Sequence, residues 1–93
     1  MPADIARQFG ENLRRARRGA GISQEETGFR ASLHRTEIGL LERGERTPRI
    51  DTAVKLACAL GVEPGELLAG IGWTPGSVVR GGFELSPAPE DSP

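Results

Sequence analysis

The sequence of 93 residues has very few of the residues that form disulfides, metal sites and aromatic cores. It contains one cysteine, one histidine, one tryptophan and no tyrosine, and aromatic residues make up only 4% of the chain. A single cysteine excludes an internal disulfide and does not form a zinc site by itself. With so few aromatic side chains the core must be mainly aliphatic, which predicts marginal stability. No cluster of histidine, cysteine or carboxylate residues has metal-ligand spacing, so neither a metal nor a cofactor is expected.

The patterns of an enzyme or a membrane protein are also missing. The only histidine, His34, lies in a predicted turn, and no pairing of a nucleophile with a base is supported. There is no phosphate-binding G-x-x-x-x-G-K motif. No apolar run approaches the ~20 residues of a membrane span, and the first 15 residues lack the apolar core of a signal peptide. We therefore expect a cytoplasmic protein that is not an enzyme and does not interact with a membrane.

The charge distribution alone does not decide the function. The formal net charge is −1, yet eleven of the twelve basic residues are arginine, and ten arginines fall between Arg7 and Arg49. Guanidinium groups suit phosphate and guanine recognition. The same composition is equally typical of a solvent-exposed surface of mixed charge.

Hydrophobic spacing predicts five helices within residues 1–70. The first, about 5–18, follows Asp4 as its cap and buries an apolar stripe with i, i+4, i+8, i+11 spacing; its members are Ile5, Phe9, Leu13 and Ala16. Glycines 19 and 21 should end it. Further helices are predicted at about 24–31, 34–43 and 51–60, with a short fifth helix that begins at Pro64.

Two expectations concern the inner side of the last two helices. In the fourth helix Val54, Ala57 and Cys58 are predicted to face inward, with Leu56 and Leu60 beside them. In the fifth, Leu67 and Leu68 are predicted to close the core. Together these helices predict a compact all-α domain with short connections.

The stretch from Ser23 to Gly44 is the most informative part of the chain. Ser23 and Glu26 form an S-x-x-E capping box at the start of the second helix. In the third helix Ile38 and Leu41 fall on one side. The opposite side then carries Arg35, Thr36, Gly39, Leu40 and Arg43. A helix face with a guanidinium at each end suits contact with nucleic acid.

Residues 71–85 form an extension whose role stays open. A hairpin can be drawn that pairs Ile71–Trp73 with Phe83–Leu85, around a turn signal at residues 73–76. Its apolar side chains can cover the core of their own domain, pair in a dimer, or bind another protein. Residues 86–93, SPAPEDSP, have the composition of a disordered tail.

Several motifs together indicate a family. S-Q-E-E at 23–26, R-T-E-I at 35–38, L-L-E-R-G at 40–44 and K-L-A-C-A-L-G-V at 55–62 make residues 5–70 resemble the phage-repressor (Cro/C1, xenobiotic-response-element) type of helix-turn-helix transcriptional regulators. The resemblance implies a five-helix domain with its helix-turn-helix at about 23–43. It also implies sequence-specific binding to double-stranded operator DNA, usually as a homodimer, with the third helix in the major groove. Repression by blocking the polymerase is the default expectation.

The resemblance also assigns residues. Gln24 would donate to a phosphate and brace the recognition helix, and Arg17 would pair with Glu42. The positions that read bases or line the groove are Arg35, Thr36, Glu37 and Leu40. The positions that touch the DNA backbone are Arg43, Arg46 and Arg49.

Side-chain chemistry leaves some of these roles open. Arg35 suits guanine, and Thr36 suits a base, a phosphate or a thymine methyl. Glu37 suits either cytosine or the orientation of a neighbouring arginine, Arg35 or Arg43, with orientation slightly favoured. Leu40 suits either a thymine methyl or the core, and Gly39 indicates a close approach of the helix to the groove or to a neighbour.

The sequence departs from the family pattern around the turn. Ser32 stands where glycine is usual, His34 replaces a serine or threonine cap, Thr27 replaces an apolar residue and Gly28 replaces alanine. These departures predict a second helix with less support than in a typical member. The alternative function is a protein-binding module, such as an antitoxin-like partner or an adaptor, that uses residues 71–85.

Overall fold

The computed structural model describes residues 4–86, which form five helices followed by a two-stranded antiparallel hairpin. The helices are α1 (Ile5–Ala20), α2 (Gln24–Ala31), α3 (Arg35–Glu42), α4 (Ile50–Leu60) and α5 (Pro64–Leu67), and the strands are β1 (Ile71–Thr74) and β2 (Gly82–Leu85). The predicted five-helix domain and hairpin are confirmed. The predicted disordered tail lies outside the described residues except for Ser86. Among the described helices none is long and apolar enough to span a membrane.

Local signals explain where the first two helices begin and end. The Asp4 side chain accepts a hydrogen bond from the backbone N–H of Arg7, and Ser23 accepts one from Glu26, both at 3.0 Å. These bonds satisfy donors that a helix start leaves unpaired. Helix α1 continues through Gly19 and ends at Gly21, which adopts the left-handed conformation with φ 73°.

The core is aliphatic except for Phe9, as the composition predicts. Its buried members come from all five helices: Phe9, Leu13, Ala31, Ile38, Leu41, Leu56, Ala57, Leu60 and Leu67. Phe9 and Leu13 of the α1 stripe and the inner side of α3 are therefore buried as their spacing predicts, whereas Ile5 and Ala16 are only half-buried.

The prediction for the inner side of α4 was wrong in part. Leu56, Ala57 and Leu60 are buried, whereas Val54 is 45% exposed and Cys58 is exposed. Helix α4 is apolar around most of its circumference, so periodicity alone cannot select the buried face. Cys58 is therefore not the small buried hydrophobe that its position suggested.

The prediction for the end of α5 was also wrong in part. Leu67 is fully buried, but Leu68 is 50% exposed. Because α5 ends at Leu67, the next side chain turns away from the core.

Helices α1 and α3 cross in backbone contact. A Cβ atom on Gly10 would lie 2.4 Å from the carbonyl oxygen of Leu41 and 2.6 Å from that of Glu42. Real Cβ atoms essentially never approach other atoms this closely. Only glycine therefore permits this crossing, which fixes the end of α3 against α1.

The hairpin is joined to α1 by two buried amides that the sequence analysis did not identify. The Asn12 side chain donates to the carbonyls of Leu67 at 3.0 Å and Ala69 at 2.8 Å. Gln8 donates to the carbonyls of Ala69 and Ser86, both at 3.3 Å. The two amides are spaced i, i+4 beside the apolar stripe, which is the signal that would have found them.

Candidate nucleic-acid interface

The turn between α2 and α3 packs directly against α2. Ser32, which stands where the family usually has glycine, is left-handed, with φ 57° and ψ 42°, and so carries strain on the order of 1 kcal/mol. A Cβ on Gly28 would lie 2.6 Å from the carbonyl oxygen of Leu33. Gly28 is therefore not a weak point of α2, because its missing side chain lets the turn come close.

The two other departures from the family pattern are accommodated by hydrogen bonds. Thr27 is fully buried, and its hydroxyl donates to the carbonyl of Ser23 at 2.9 Å. His34 caps α3, and its Nδ1 accepts from the backbone N–H of Thr36 at 3.1 Å. The buried Thr27 hydroxyl therefore has a hydrogen-bond partner, and the expectation that α2 has less support than in a typical member stays a prediction.

Helix α3 presents a polar face opposite its buried side. Arg35 and Thr36 are exposed, Glu37 and Leu40 are half-buried, and Ile38 and Leu41 are buried. Among residues 4–86, no carboxylate lies within 4.0 Å of the Arg35 guanidinium. Arg35 is thus a free cation at the first turn of the helix.

Gly39 is buried under the side chain of Arg43. A Cβ on Gly39 would lie 3.0 Å from Nη1 of Arg43. The neighbour that approaches Gly39 closely in the free protein is therefore a flexible arginine side chain. This arrangement leaves the groove approach of Gly39 as a prediction.

The three arginines at the backbone-contact positions each have a carboxylate partner. Arg43 contacts Glu45 at 2.6 Å, Arg49 contacts Asp51 at 3.3 Å, and Arg46 pairs with Glu37. All three arginines are exposed, and exposed ion pairs contribute little stability, about 0–1 kcal/mol. A phosphate can therefore replace the carboxylate at little cost.

The partner of Glu37 corrects the sequence expectation. Its carboxylate orients Arg46, nine residues further along the chain, instead of Arg35 or Arg43. Helical spacing could not have revealed this pair, because Arg46 lies in the loop after α3.

A buried ion pair holds the start of α2 and the end of α3 against α1. Arg17 Nε donates to Oε2 of Glu42 at 2.5 Å, and Arg17 Nη2 donates to Oε1 at 3.1 Å. Nη1 of the same arginine donates to the carbonyl oxygen of Ile22, just before α2, at 3.0 Å. Gln24 Nε2 donates to Oε1 of Glu42 at 3.0 Å. Gln24 thus braces the recognition helix, while its contact with a phosphate stays a prediction.

The environment of Arg17 favours its charged form. The Glu42 side chain is only 4% exposed and that of Arg17 14%. The hydrogen bond to Glu42 raises the pKa of Arg17 above its usual value, against the opposing effect of burial. Arg17 therefore stays charged. We call its ion pair with Glu42, which joins α1 to α3, the clamp.

Comparisons with known proteins agree with this geometry. A helix-turn-helix family model matches residues 13–67. The control protein C.BamHI of Bacillus amyloliquefaciens is 41% identical over 69 residues, which are 73% of this chain and 85% of that protein.

Two solved structures have the same architecture. The restriction-modification controller protein C.AhdI of Aeromonas hydrophila is 42% identical, with a TM-score of 0.65 over 67% of this chain and 94% of that chain. The P22 c2 repressor, crystallised with a synthetic operator, is 30% identical, with a TM-score of 0.61 over 64% of this chain and 91% of that chain.

Proposed function

Because this chain belongs to the helix-turn-helix family of Cro/C1-type DNA-binding transcriptional regulators, we propose that it binds a palindromic operator as a homodimer. It acts by binding and not by catalysis, and repression by blocking the polymerase is its default mode. Two copies would place their α3 helices in successive major grooves, about 34 Å apart. The similarity to a restriction-modification controller supports a promoter of that gene class as the first place to look for the operator.

The observation that supports this proposal most directly is the state of Arg35. It is exposed at the first turn of a helix whose far end is fixed to α1 by Gly10 and Glu42, and no carboxylate of residues 4–86 pairs with it. From that position a guanidinium can reach O6 and N7 of guanine with two hydrogen bonds. We assign base readout to Arg35, with Thr36 and Leu40 beside it in the groove.

Contacts with the DNA backbone are assigned to Arg43, Arg46 and Arg49, and to the second amide hydrogen of Gln24. Glu37 keeps Arg46 oriented toward the phosphates. Since each of the three arginines starts from an ion pair, binding exchanges a carboxylate for a phosphate at each position.

The test begins by selecting bound sites from random duplex DNA with the full chain. We expect a sequence with twofold symmetry. Affinities of variants are then measured on the selected duplex and on random duplex at several salt concentrations. Lys55→Ala is the matched control, because Lys55 is exposed on α4, outside the proposed interface.

Arg35→Ala is expected to reduce the ratio of specific to random affinity by roughly 10- to 100-fold, the loss of one bidentate base contact. Arg43→Ala is expected to weaken both duplexes alike and to lower the slope of log K against log salt by up to about 0.9. Unchanged discrimination in Arg35→Ala would show that this residue does not read a base.

A further inference from the structure

The hairpin has one apolar and one polar face. Strand register places Ile71 opposite Leu85 and Trp73 opposite Phe83. Because side chains alternate along a strand, these four lie on one face, and the residues between them are glycine, threonine or glutamate. The rings of Trp73 and Phe83 meet edge to face, with centroids 5.0 Å apart.

The domain itself covers only one end of this apolar face. Ile71 packs against the core, but Trp73 is 57% exposed, Phe83 47% and Leu85 36%. The loop at the tip adds Val78 and Val79, which are also exposed. A hairpin of two strands is marginal in water unless its apolar face packs against something else. The exposed part of the face therefore needs another apolar surface to pack against it.

The hairpin is held in a fixed place while its face stays open. Asn12 and Gln8 are buried and donate to carbonyls at both ends of the segment, those of Leu67, Ala69 and Ser86. Asn12 and Gln8 belong to α1, which also carries the clamp on the recognition helix. A partner on the hairpin would thus be positioned relative to α3.

We propose that this surface is the same face of a second copy of this chain. Residues 87–93, PAPEDSP, include no large apolar side chain that could pack against it. The exposed side chains of the hairpin, with Leu68 at its base, offer on the order of 600 Å² of apolar surface per copy. That is most of the ~800 Å² per partner in a stable interface. It also lies at the upper end of the roughly 300–600 Å² of the largest apolar patch on a typical monomer.

Charge and symmetry also suit a second copy. Residues 71–86 carry one arginine and one glutamate, Arg80 and Glu84, so two hairpins meet without net repulsion. A twofold contact needs a patch that complements itself, and an apolar face satisfies that condition. The family model ends at residue 67, before the hairpin, so this contact is an addition to the family's domain. The inference rests on the proposed function in one respect, since a palindromic operator requires two copies.

The test is the mass of the full chain in solution, measured by light scattering from about 1 to 100 µM. The double variant Trp73→Ser/Phe83→Ser is compared with Ile50→Ser/Val54→Ser, which removes two exposed apolar side chains from α4. We expect a dimer for the wild type and the α4 variant, and a monomer for the hairpin variant. Circular dichroism checks that each variant keeps its helices.

Three outcomes would overturn the proposal. One is a wild type that is monomeric throughout this range, so that a partner of the hairpin would have to be a different protein. Another is a dimer kept in both the hairpin variant and the α4 variant, which would place the contact on neither surface. The last is a dimer lost in the α4 variant and kept in the hairpin variant, which would place the contact on α4.

DNA binding separates this inference from the proposed function. The duplex selected from the random pool is compared with a duplex that carries one of its halves. The hairpin variant should lose about 100-fold or more in affinity for the full site, the gain that linking two sites provides. It should bind the half site like the wild type. A wild type that selects no sequence would contradict the proposed function and leave the mass measurement unaffected.

Discussion

Replacing Gly10 by alanine tests whether α1 and α3 touch through their backbones. The new Cβ would lie 2.4 Å from the carbonyl oxygen of Leu41, and neither backbone can move without shifting a helix. Alanine gains about 1 kcal/mol of helix propensity over glycine. Overpacking of this kind costs up to about 3 kcal/mol. We expect Gly10→Ala to lower the free energy of unfolding by about 2 kcal/mol, or roughly 10 °C in melting temperature.

The same helix provides a matched control. Gly19 also lies in α1, and a Cβ there would meet no atom within 4 Å. Gly19→Ala should therefore raise the free energy of unfolding by about 0.5–1 kcal/mol. Both variants are unfolded in urea and followed by circular dichroism. One protein concentration is used, because the proposed dimerisation would contribute to apparent stability. A Gly10→Ala variant as stable as Gly19→Ala would refute the backbone contact.

Three further changes probe the turn, the clamp and the anchor of the hairpin. Ser32→Gly should raise the free energy of unfolding by about 1 kcal/mol in urea, because glycine adopts the left-handed conformation without strain; a destabilised variant would contradict this. Glu42→Gln leaves the Arg17 charge without its charged partner and should lower the free energy of unfolding by about 3 kcal/mol in the same assay. A decrease below about 1 kcal/mol would show that this ion pair contributes little. Asn12→Leu leaves the Leu67 carbonyl without its donor, at about 1–3 kcal/mol, and leaves the Ala69 carbonyl with Gln8 alone. The fluorescence of Trp73 should then change at lower urea than the helical signal, and coincident transitions would speak against the anchor.

Much of the fold could be predicted because its signals are local. Caps, glycine stops and the apolar stripe of α1 depend on residues within a few positions of each other, and they placed the helices within two residues of their observed bounds. The buried face of α4 could not be predicted, since apolar residues occupy most of the circumference of that helix. Its orientation is decided by the helices that pack against it.

The exposed face of α3 and, through the family resemblance, the Arg17–Glu42 pair could be predicted, whereas the other pairings of the candidate site could not. The exposed side of α3 followed from the positions of Ile38 and Leu41. The pairing of Glu37 with Arg46 depends on the path of a loop, and the role of Gly28 depends on where the turn folds back. Such contacts join positions with no periodic relation, so spacing carries no information about them.

The carboxylates that pair with Arg43, Arg46 and Arg49 act as counterions that are covalently part of the protein. When a phosphate displaces such a carboxylate, the acid stays tethered close to the DNA and repels it. The salt slope of these three contacts should then fall below the ~2.7 expected for three free cations. Arbitrary DNA, which offers phosphates alone, would be bound weakly, whereas an operator would add the base contacts that we propose for Arg35. A chain with a net charge of −1 would in this way avoid being trapped on the many competing sites of a genome.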